Sequence, residues 1–378
     1  MSRLCAIEAF DHIPGPRVVC GVGGLARLGA LAQGLGATRA LVVTDSGIAS
    51  AGILERALHS LHAADIAPVI YDRVRPNPSS DDVAATVDHA REAASIDLIV
   101  GLGGGSAMDC AKAANFILTN GGVMSDYWGY GKAGGAMLPS IGVPTTAGTG
   151  SEAQSYALIS DPETHRKMAC GDLNARFRAV ILDASLTTTV PFSVTAATGM
   201  DAIAHAVESY VSTKANPMSR LYAREAFALL DSSFERALAA PDDIDARAGM
   251  LLGAHYAGAA IENSMLGAAH ASANPLTARH GVPHGAAVGL MLPHVVAYNE
   301  AGRAGTYDGL AAPGGATLRA RVEALHSAAE MPTRLRDHGI ALDDLDELAE
   351  LATDEWTGKY NPRSLAGRDF RNLYEGAL

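Results

Sequence analysis

The sequence predicts an α/β domain built on a parallel, doubly wound sheet, followed by an all-α helical domain. Three observations carry that prediction. Short β-rich runs alternate with helical patterns through the first half, as strands joined by crossover helices do. Near Val190 and Pro191 the pattern changes, and from Ser193 onward long Ala/Leu/Met-rich helical periodicity replaces the strand signal. The length, 378 residues, suits more than one domain at about 150 residues each. The boundary is set near residue 188, giving units 1–188 and 189–378.

The elements follow in order. ALVVTD (40–45) reads as a buried strand, and a helix follows over 53–64. PVIYDRV (68–74) is the next strand. In PNPSSDDV the chain breaks and restarts, with Ser79 or Ser80 as helix N-cap and Asp81 and Asp82 in the first turn of a helix running to about residue 94. DLIVGLGGGS (97–106) is a strand running into glycines, and 107–120 is a helix. MLPSIGVPTT (137–146) and AVILDA (179–184) supply further strands. The second unit is expected to hold helices over 194–212, 219–239, 245–273, 285–299 and 316–338, and a last one ending at Leu378. DDLDEL (343–348) reads as a solvated helix face.

Composition excludes several classes. Hydrophobic residues make up 48% and charged residues 19%, so a packed globule rather than a disordered chain is expected. The forty glycines show no Gly-X-Y period, which rules out collagen. A net charge of −12 with no basic cluster disfavours nucleic acid. Cys5, Cys20, Cys110 and Cys170 are scattered, so neither a disulfide framework nor a zinc knuckle is signalled. The first residues lack a signal-peptide core, and no apolar run reaches the roughly 18 residues of a membrane span. A cytoplasmic protein with no membrane partner is expected.

Two loops invite a polar ligand. GLGGGSAMD, from Gly101 to Asp109, follows an apolar strand and opens a helix. Glycines let the backbone approach a phosphate, and a helix N-terminus offers free N–H groups and positive potential. Ser106 is placed to cap that helix and bond the phosphate; a ligand-free turn is the alternative. No GxGxxG fingerprint is present. Asp45, ending its strand, is either a ribose acceptor or an ordinary helix cap. PTTAGTGSE carries Thr145, Thr146, Thr149 and Ser151 in a second turn after a strand.

A metal constellation stands in the second unit. Asp201 and His205 in GMDAIAHAVE are one turn apart on one helix face, in apolar surroundings where a lone carboxylate would be costly. His270 and His284 sit at polar breaks in apolar helices. One carboxylate and three imidazoles suit a first-row divalent ion; satisfied core histidines are the alternative. His280 is a further candidate ligand or proton carrier.

Together GGGSAMDCAK (103–112), VPTTAGTGSE (143–152), the RKM segment with Lys167, GMDAIAHAVE (199–208) and the His270…HGVPHG stretch resemble the iron-containing, or group III, alcohol dehydrogenase family. IPGPRVVCGVGGL near the start and NPR (361–363) near the end resemble it too, so the likeness spans essentially the whole chain. The resemblance implies a Rossmann-like N-terminal domain and a helical C-terminal domain, the architecture shared with dehydroquinate synthase. It implies NAD, or NADP, and a divalent metal, Fe²⁺ or Zn²⁺, in the cleft between them. Metal ligands then map onto Asp201, His205, His270 and His284. The pyrophosphate loop maps onto Gly103, Gly104, Gly105 and Ser106, with Asp109 in the same motif. The ribose side maps onto Asp45 and Asn77, the nicotinamide side onto Thr145, Thr146 and Thr149, and Lys167 onto a cofactor contact.

One departure stands out. Many members carry H-x-x-x-H beginning at the first late histidine, whereas here the second position is Asn274. Asn is no general base, so the proton is expected to leave through water, the ribose hydroxyls or His280, with Asn274 bonding substrate or water or packing beside the site. The implied activity is reversible hydride transfer between a small alcohol and its aldehyde or ketone. A hydroxyacid–oxoacid transhydrogenase or a transient NAD user is the rival within the superfamily, and a metallohydrolase the rival outside it. Asp45 would favour NAD by repelling a 2′-phosphate. A homodimer or larger oligomer is expected through residues 17–21. The substrate pocket is expected around Tyr156, Phe192, His255 and Ile261.

Overall fold

A computed structural model describes residues 9–93, 95–164, 166–310 and 313–378. Cys5 and the expected helix end at residue 94 lie outside these. The first half holds β1 (Arg17–Cys20), α1 (Leu28–Gly34), β2 (Arg39–Val43), α2 (Ser46–Ser50), α3 (Ile53–His62), β3 (Ala67–Tyr71), α4 (Ser80–Glu92), β4 (Leu98–Gly103) and α5 (Gly105–Asn120). It continues with β5 (Gly129–Tyr130), β6 (Ser140–Pro144), β7 (Tyr156–Ser160), β8 (Lys167–Gly171) and β9 (Ala179–Leu182). Helices follow: α6 (Phe192–Val211), α7 (Pro217–Ala239), α8 (Ile244–Glu262), α9 (Ala268–His280), α10 (His284–Gly302), α11 (Leu318–Ala328), α12 (Leu345–Asp354) and α13 (Gly367–Ala377).

The main sheet is parallel throughout, in the order β1-β9-β6-β4-β2-β3. β4, LIVGLG, is buried along its whole length because apolar clusters cover both faces of the sheet. From β2 the chain moves outward to β3, then returns to β4 and runs the other way through β6 and β9. The order therefore reverses between β2 and β4, and ligands of such sheets sit at the carboxyl ends of the strands at that point. Val43 pairs with Gly101 and Gly103 with Pro144, so the loops after β2, β4 and β6 gather at one edge. The second half is a separate helical core around α6.

Local chemistry accounts for the element ends. Ser79 caps α4 in a capping box with Asp82. Two expected helices are shorter than the periodicity suggests. The segment expected over 245–273 is two helices: α8 stops where the Asn263 and Ser264 side chains bond the carbonyls of Ala259 and Ala260, and α9 restarts after Gly267. The segment expected over 316–338 ends at Ala328, with Glu330 at φ 53° and Pro332 beyond it. A second sheet, β5-β8-β7, was not expected; β7 and β8 are antiparallel, with Tyr156 opposite Gly171 and Ser160 opposite Lys167. Among the described residues no helix is long and apolar enough to cross a membrane.

Candidate metal centre and cofactor cleft

The glycine turn after β4 builds an open helix start. Gly104 occupies the cap position of α5, so the helix has no side-chain cap. This corrects the cap expected of Ser106. A cap oxygen must come from the residue before the first helical one, and Ser106 lies inside the first turn. Its hydroxyl instead accepts the Asn77 N–H at 3.1 Å, with Asn77 held at φ 53°. The glycines are required sterically. Gly103 is at φ +147°, and a Cβ there would stand 2.8 Å from Ala107 Cβ and 3.3 Å from Asp45 Oδ2. A Cβ on Gly105 would come within 2.6 Å of Thr149. The threonine loop thus packs onto the turn: Thr145 N–H donates to the Gly103 carbonyl at 2.9 Å, and Thr146 stands beside Gly104.

Asp45 acts as the N-cap of α2. Its Oδ1 accepts the N–H groups of Gly47 at 2.9 Å and Ile48 at 3.1 Å, while Oδ2 stays beside the glycine turn. Asp109, expected at the cofactor, faces inward. Its Oδ1 accepts the Ser151 hydroxyl at 2.5 Å and pairs with Lys112 Nζ at 3.2 Å, so it braces the threonine loop against α5. Lys112, which the sequence reading passed over, is buried and also donates to the carbonyls of Ser151, Gln154 and Tyr156.

Three imidazoles converge on one carboxylate oxygen. Asp201 Oδ1 lies 3.4 Å from His205 Nε2, 3.3 Å from His270 Nε2 and 3.7 Å from His284 Nε2. The His205 and His270 rings stack with centroids 4.8 Å apart. Donor atoms of Asp201, His270 and His284 lie within 4.8 Å of one another. Asp201, His205 and His270 are buried, and His284 Nδ1 is buried with no hydrogen-bond partner among the described residues. Asp201, His270 and His284 offer a carboxylate oxygen and two imidazole nitrogens within one another's reach, and His205 Nε2 stands 3.4 Å from the same carboxylate oxygen; that donor set in an apolar helical core fits a divalent cation. Burial disfavours the Asp201 carboxylate, but the surrounding histidines outweigh it and hold that carboxyl well below its usual range. Burial and then the Lys167 charge push His284 down to about 3, leaving a neutral imidazole.

Glu208 is a functional residue the sequence reading missed. Its Oε2 accepts His270 Nδ1–H at 2.5 Å, and its Oε1 accepts the Ala269 N–H at 2.6 Å. That contact fixes the imidazole with Nε2 toward Asp201, and it raises His270 to about 9 against the opposing effect of burial. The signal was present: Asp201, His205 and Glu208 fall at i, i+4 and i+7 on one face of α6.

The two sites adjoin. Gly148 of the threonine loop packs on Thr198 of α6, three residues before Asp201. Lys167, at the start of β8, feels Asp201, Asp109 and Glu355 through space, while burial lowers its pKa. Asn274 lies one turn beyond His270 on α9, and its Nδ2 donates to Glu355 Oε2 at 2.9 Å. His280 closes α9 ten residues after His270, about 15 Å along the axis, and among the described residues no hydrogen bond or ring contact joins it to the cluster. The residues expected around the substrate divide. Tyr156 stacks toward Trp356 with centroids 6.3 Å apart, and Ile261 is buried. His255 is committed to Glu152 at 3.2 Å, and Phe192 is exposed at the start of α6.

Comparison with known proteins follows the same lines. The sequence profile of the iron-containing alcohol dehydrogenases matches residues 15–184, and that of the C-terminal domain of the Fe-containing alcohol dehydrogenase family matches 195–378. The chain is 30% identical over 375 residues to the NAD-dependent methanol dehydrogenase of Bacillus methanolicus, covering 96% of this chain and 98% of that one. It is 33% identical to the 1,3-propanediol dehydrogenase of Klebsiella pneumoniae, covering 98% and 99%. A solved 1,3-propanediol oxidoreductase superposes with a TM-score of 0.93 at 32% identity, covering 98% of this chain and all of that one.

Proposed function

The chain belongs to the iron-containing alcohol dehydrogenase family, and from that premise we propose that it interconverts a small alcohol and its aldehyde or ketone, using NAD and a divalent metal ion. The observation that carries this reading is the convergence of three imidazole Nε2 atoms on Asp201 Oδ1, joined to the uncapped start of α5 by a threonine loop that packs on both α6 and the glycine turn. Asp201, His205, His270 and His284 would hold the ion, iron or zinc, since imidazole suits both. When bound, the ion supplies Lewis-acid charge to the alcohol oxygen and the nicotinamide carries the hydride.

The remaining roles belong to this chain's own groups. Gly103, Gly104 and Gly105 let the backbone meet a pyrophosphate, and the free N–H groups of α5 bind it. Asp45 offers its uncommitted Oδ2 to a ribose hydroxyl, with Asn77 and Ser106 bordering the same edge. Thr145, Thr146 and Thr149 form the wall toward the nicotinamide, and Lys167 holds positive charge between the cofactor and the cluster. Glu208 fixes His270, and the packed helices around it exclude water. Pairing of the edge strand β1, where Val18 is exposed, with a second copy would give at least a dimer. A cytoplasmic site of action and a domain boundary near residue 188 belong to the same reading.

An alcohol and aldehyde panel run with NAD(H) and NADP(H) tests this. A substrate-dependent change in the NADH absorbance band is expected; none with any alcohol would refute it. Cofactor choice tests Asp45 separately. Two unit charges about 4 Å apart near a protein surface repel by about 1–4 kcal/mol, so NAD should be preferred over NADP. Asp45→Ser retains a capping oxygen and removes the charge. It should lower the NAD-over-NADP ratio of kcat/KM by roughly tenfold or more. A wild-type preference for NADP would contradict the assignment.

A further inference from the structure

Arg247 is a cation without a counter-ion. It lies in the first turn of α8 and is only 4% exposed. Its Nε donates to the Pro241 carbonyl at 2.9 Å, and its Nη1 donates to Thr195 Oγ1 at 2.9 Å. A guanidinium carries five N–H donors, so with two committed three have no acceptor among the described residues. No carboxylate among the described residues comes within ion-pair distance of it. Asp243, the acid that caps the same helix, is held by Arg236 at 2.8 Å. Burial lowers the Arg247 pKa, and no neighbouring acid opposes that effect. A buried charge is costly unless something pairs with it.

The guanidinium lines a small cavity of about 10 Å³, together with Ala147, Thr187, Val190, Thr195 and Thr198. That is room for about one water-sized particle. Thr195, 6% exposed, accepts from Arg247, and its own hydroxyl hydrogen has no acceptor among the described residues. Thr187 and Thr198 donate their hydroxyl hydrogens to the carbonyls of Ala184 at 2.9 Å and Val194 at 2.8 Å. α6 begins without a side-chain cap just before Thr195, which adds positive potential. Uncommitted donors, a full positive charge and room for one small particle select a monatomic anion. A water molecule would bond the donors and leave the charge unpaired, and a tetrahedral oxyanion is too large.

We propose that Arg247 and Thr195 form a binding site for a small monovalent anion, a halide of chloride size, where the threonine loop and the turn after β9 meet α6 and α8. Its place gives the anion a structural role. Ala147 belongs to the threonine loop, whose Gly148 packs on Thr198. Thr195 stands six residues, about 9 Å, before Asp201 on α6. A bound anion therefore ties the loop to the helix that carries Asp201, whatever substrate the protein takes.

The test titrates chloride into the metal-loaded protein at constant ionic strength, replacing gluconate, which is too large for the cavity. The unfolding midpoint of the wild type should rise saturably, by about 2–4 °C once chloride exceeds its Kd several-fold. Bromide should act in the same way. Sulfate should stabilise the wild type and Arg247→Gln alike, through its general exclusion from protein surfaces. Arg247→Gln should lose the saturable chloride response. Thr195→Val keeps the side-chain shape and should weaken the apparent chloride affinity roughly tenfold, so it carries the test if Arg247→Gln does not fold. Crystals grown with bromide should show an anomalous peak beside Arg247 Nη1. A wild type without a saturable response would overturn the proposal. So would a response kept in full by Arg247→Gln, which would place the halide elsewhere, as on the metal ion. A water molecule with no anomalous signal at the guanidinium would overturn it too.

Discussion

His270→Ala is expected to leave the protein without bound metal and without activity, while NADH still binds. His270 supplies one of three imidazoles on Asp201, and no other described histidine joins that cluster to replace it. The loss should exceed the 10- to 100-fold drop in metal affinity typical when only an outer partner of a ligand is removed. Glu208→Gln gives that smaller effect directly, because it keeps the four donors and weakens the grip on His270 Nδ1. Cofactor binding should survive both changes, since the glycine turn, Asp45 and the threonine loop are built from β2, β4, β6 and α5. His205→Ala provides the independent check, as its ring is not bonded to Glu208. Full metal occupancy in both alanine variants, by elemental analysis, would remove these residues from the ligand set.

The second large effect concerns stability. Lys112→Met should cost about 3–5 kcal/mol, the usual consequence of breaking a buried ion pair from one side. The Lys112 ammonium is buried between Asp109 and the carbonyls of Ser151, Gln154 and Tyr156. Methionine fills much the same volume but leaves Asp109 with only the Ser151 hydroxyl and three carbonyls without their donor. The threonine loop should loosen with them, so NADH affinity should fall alongside the denaturant midpoint. A change in unfolding free energy below about 1 kcal/mol would show that solvent replaces the ammonium at little cost.

What the sequence made legible was local. An apolar run ending in glycines marked β4 and the start of α5, and the Asp-x3-His spacing marked one face of α6. Helical periodicity hid breaks where Ala-rich stretches flank polar residues, as at Asn263 and Ser264, because a side chain that bonds back to its own helix looks like any exposed polar position. β7 alternates in burial, but KMACG of β8 holds no β-branched or aromatic residue, so the partner that makes β7 a strand is not marked by composition. Asp109 and Lys112 lay inside a recognised motif, but which way each pointed depended on the loop packed against α5. The Asn274–Glu355 bond joins segments 81 residues apart, and no period or spacing carries that information.

Metal dependence of the hydride transfer is the centre of the account. Protein stripped of metal by a chelator, verified metal-free by elemental analysis, should oxidise any alcohol that the metal-loaded protein accepts at a negligible rate with NAD. Titration with Fe²⁺ or Zn²⁺ should then restore the NADH absorbance change and saturate near one equivalent per chain. Full turnover in the metal-free protein, or no recovery with either ion while the fold and NADH binding are intact, would contradict it.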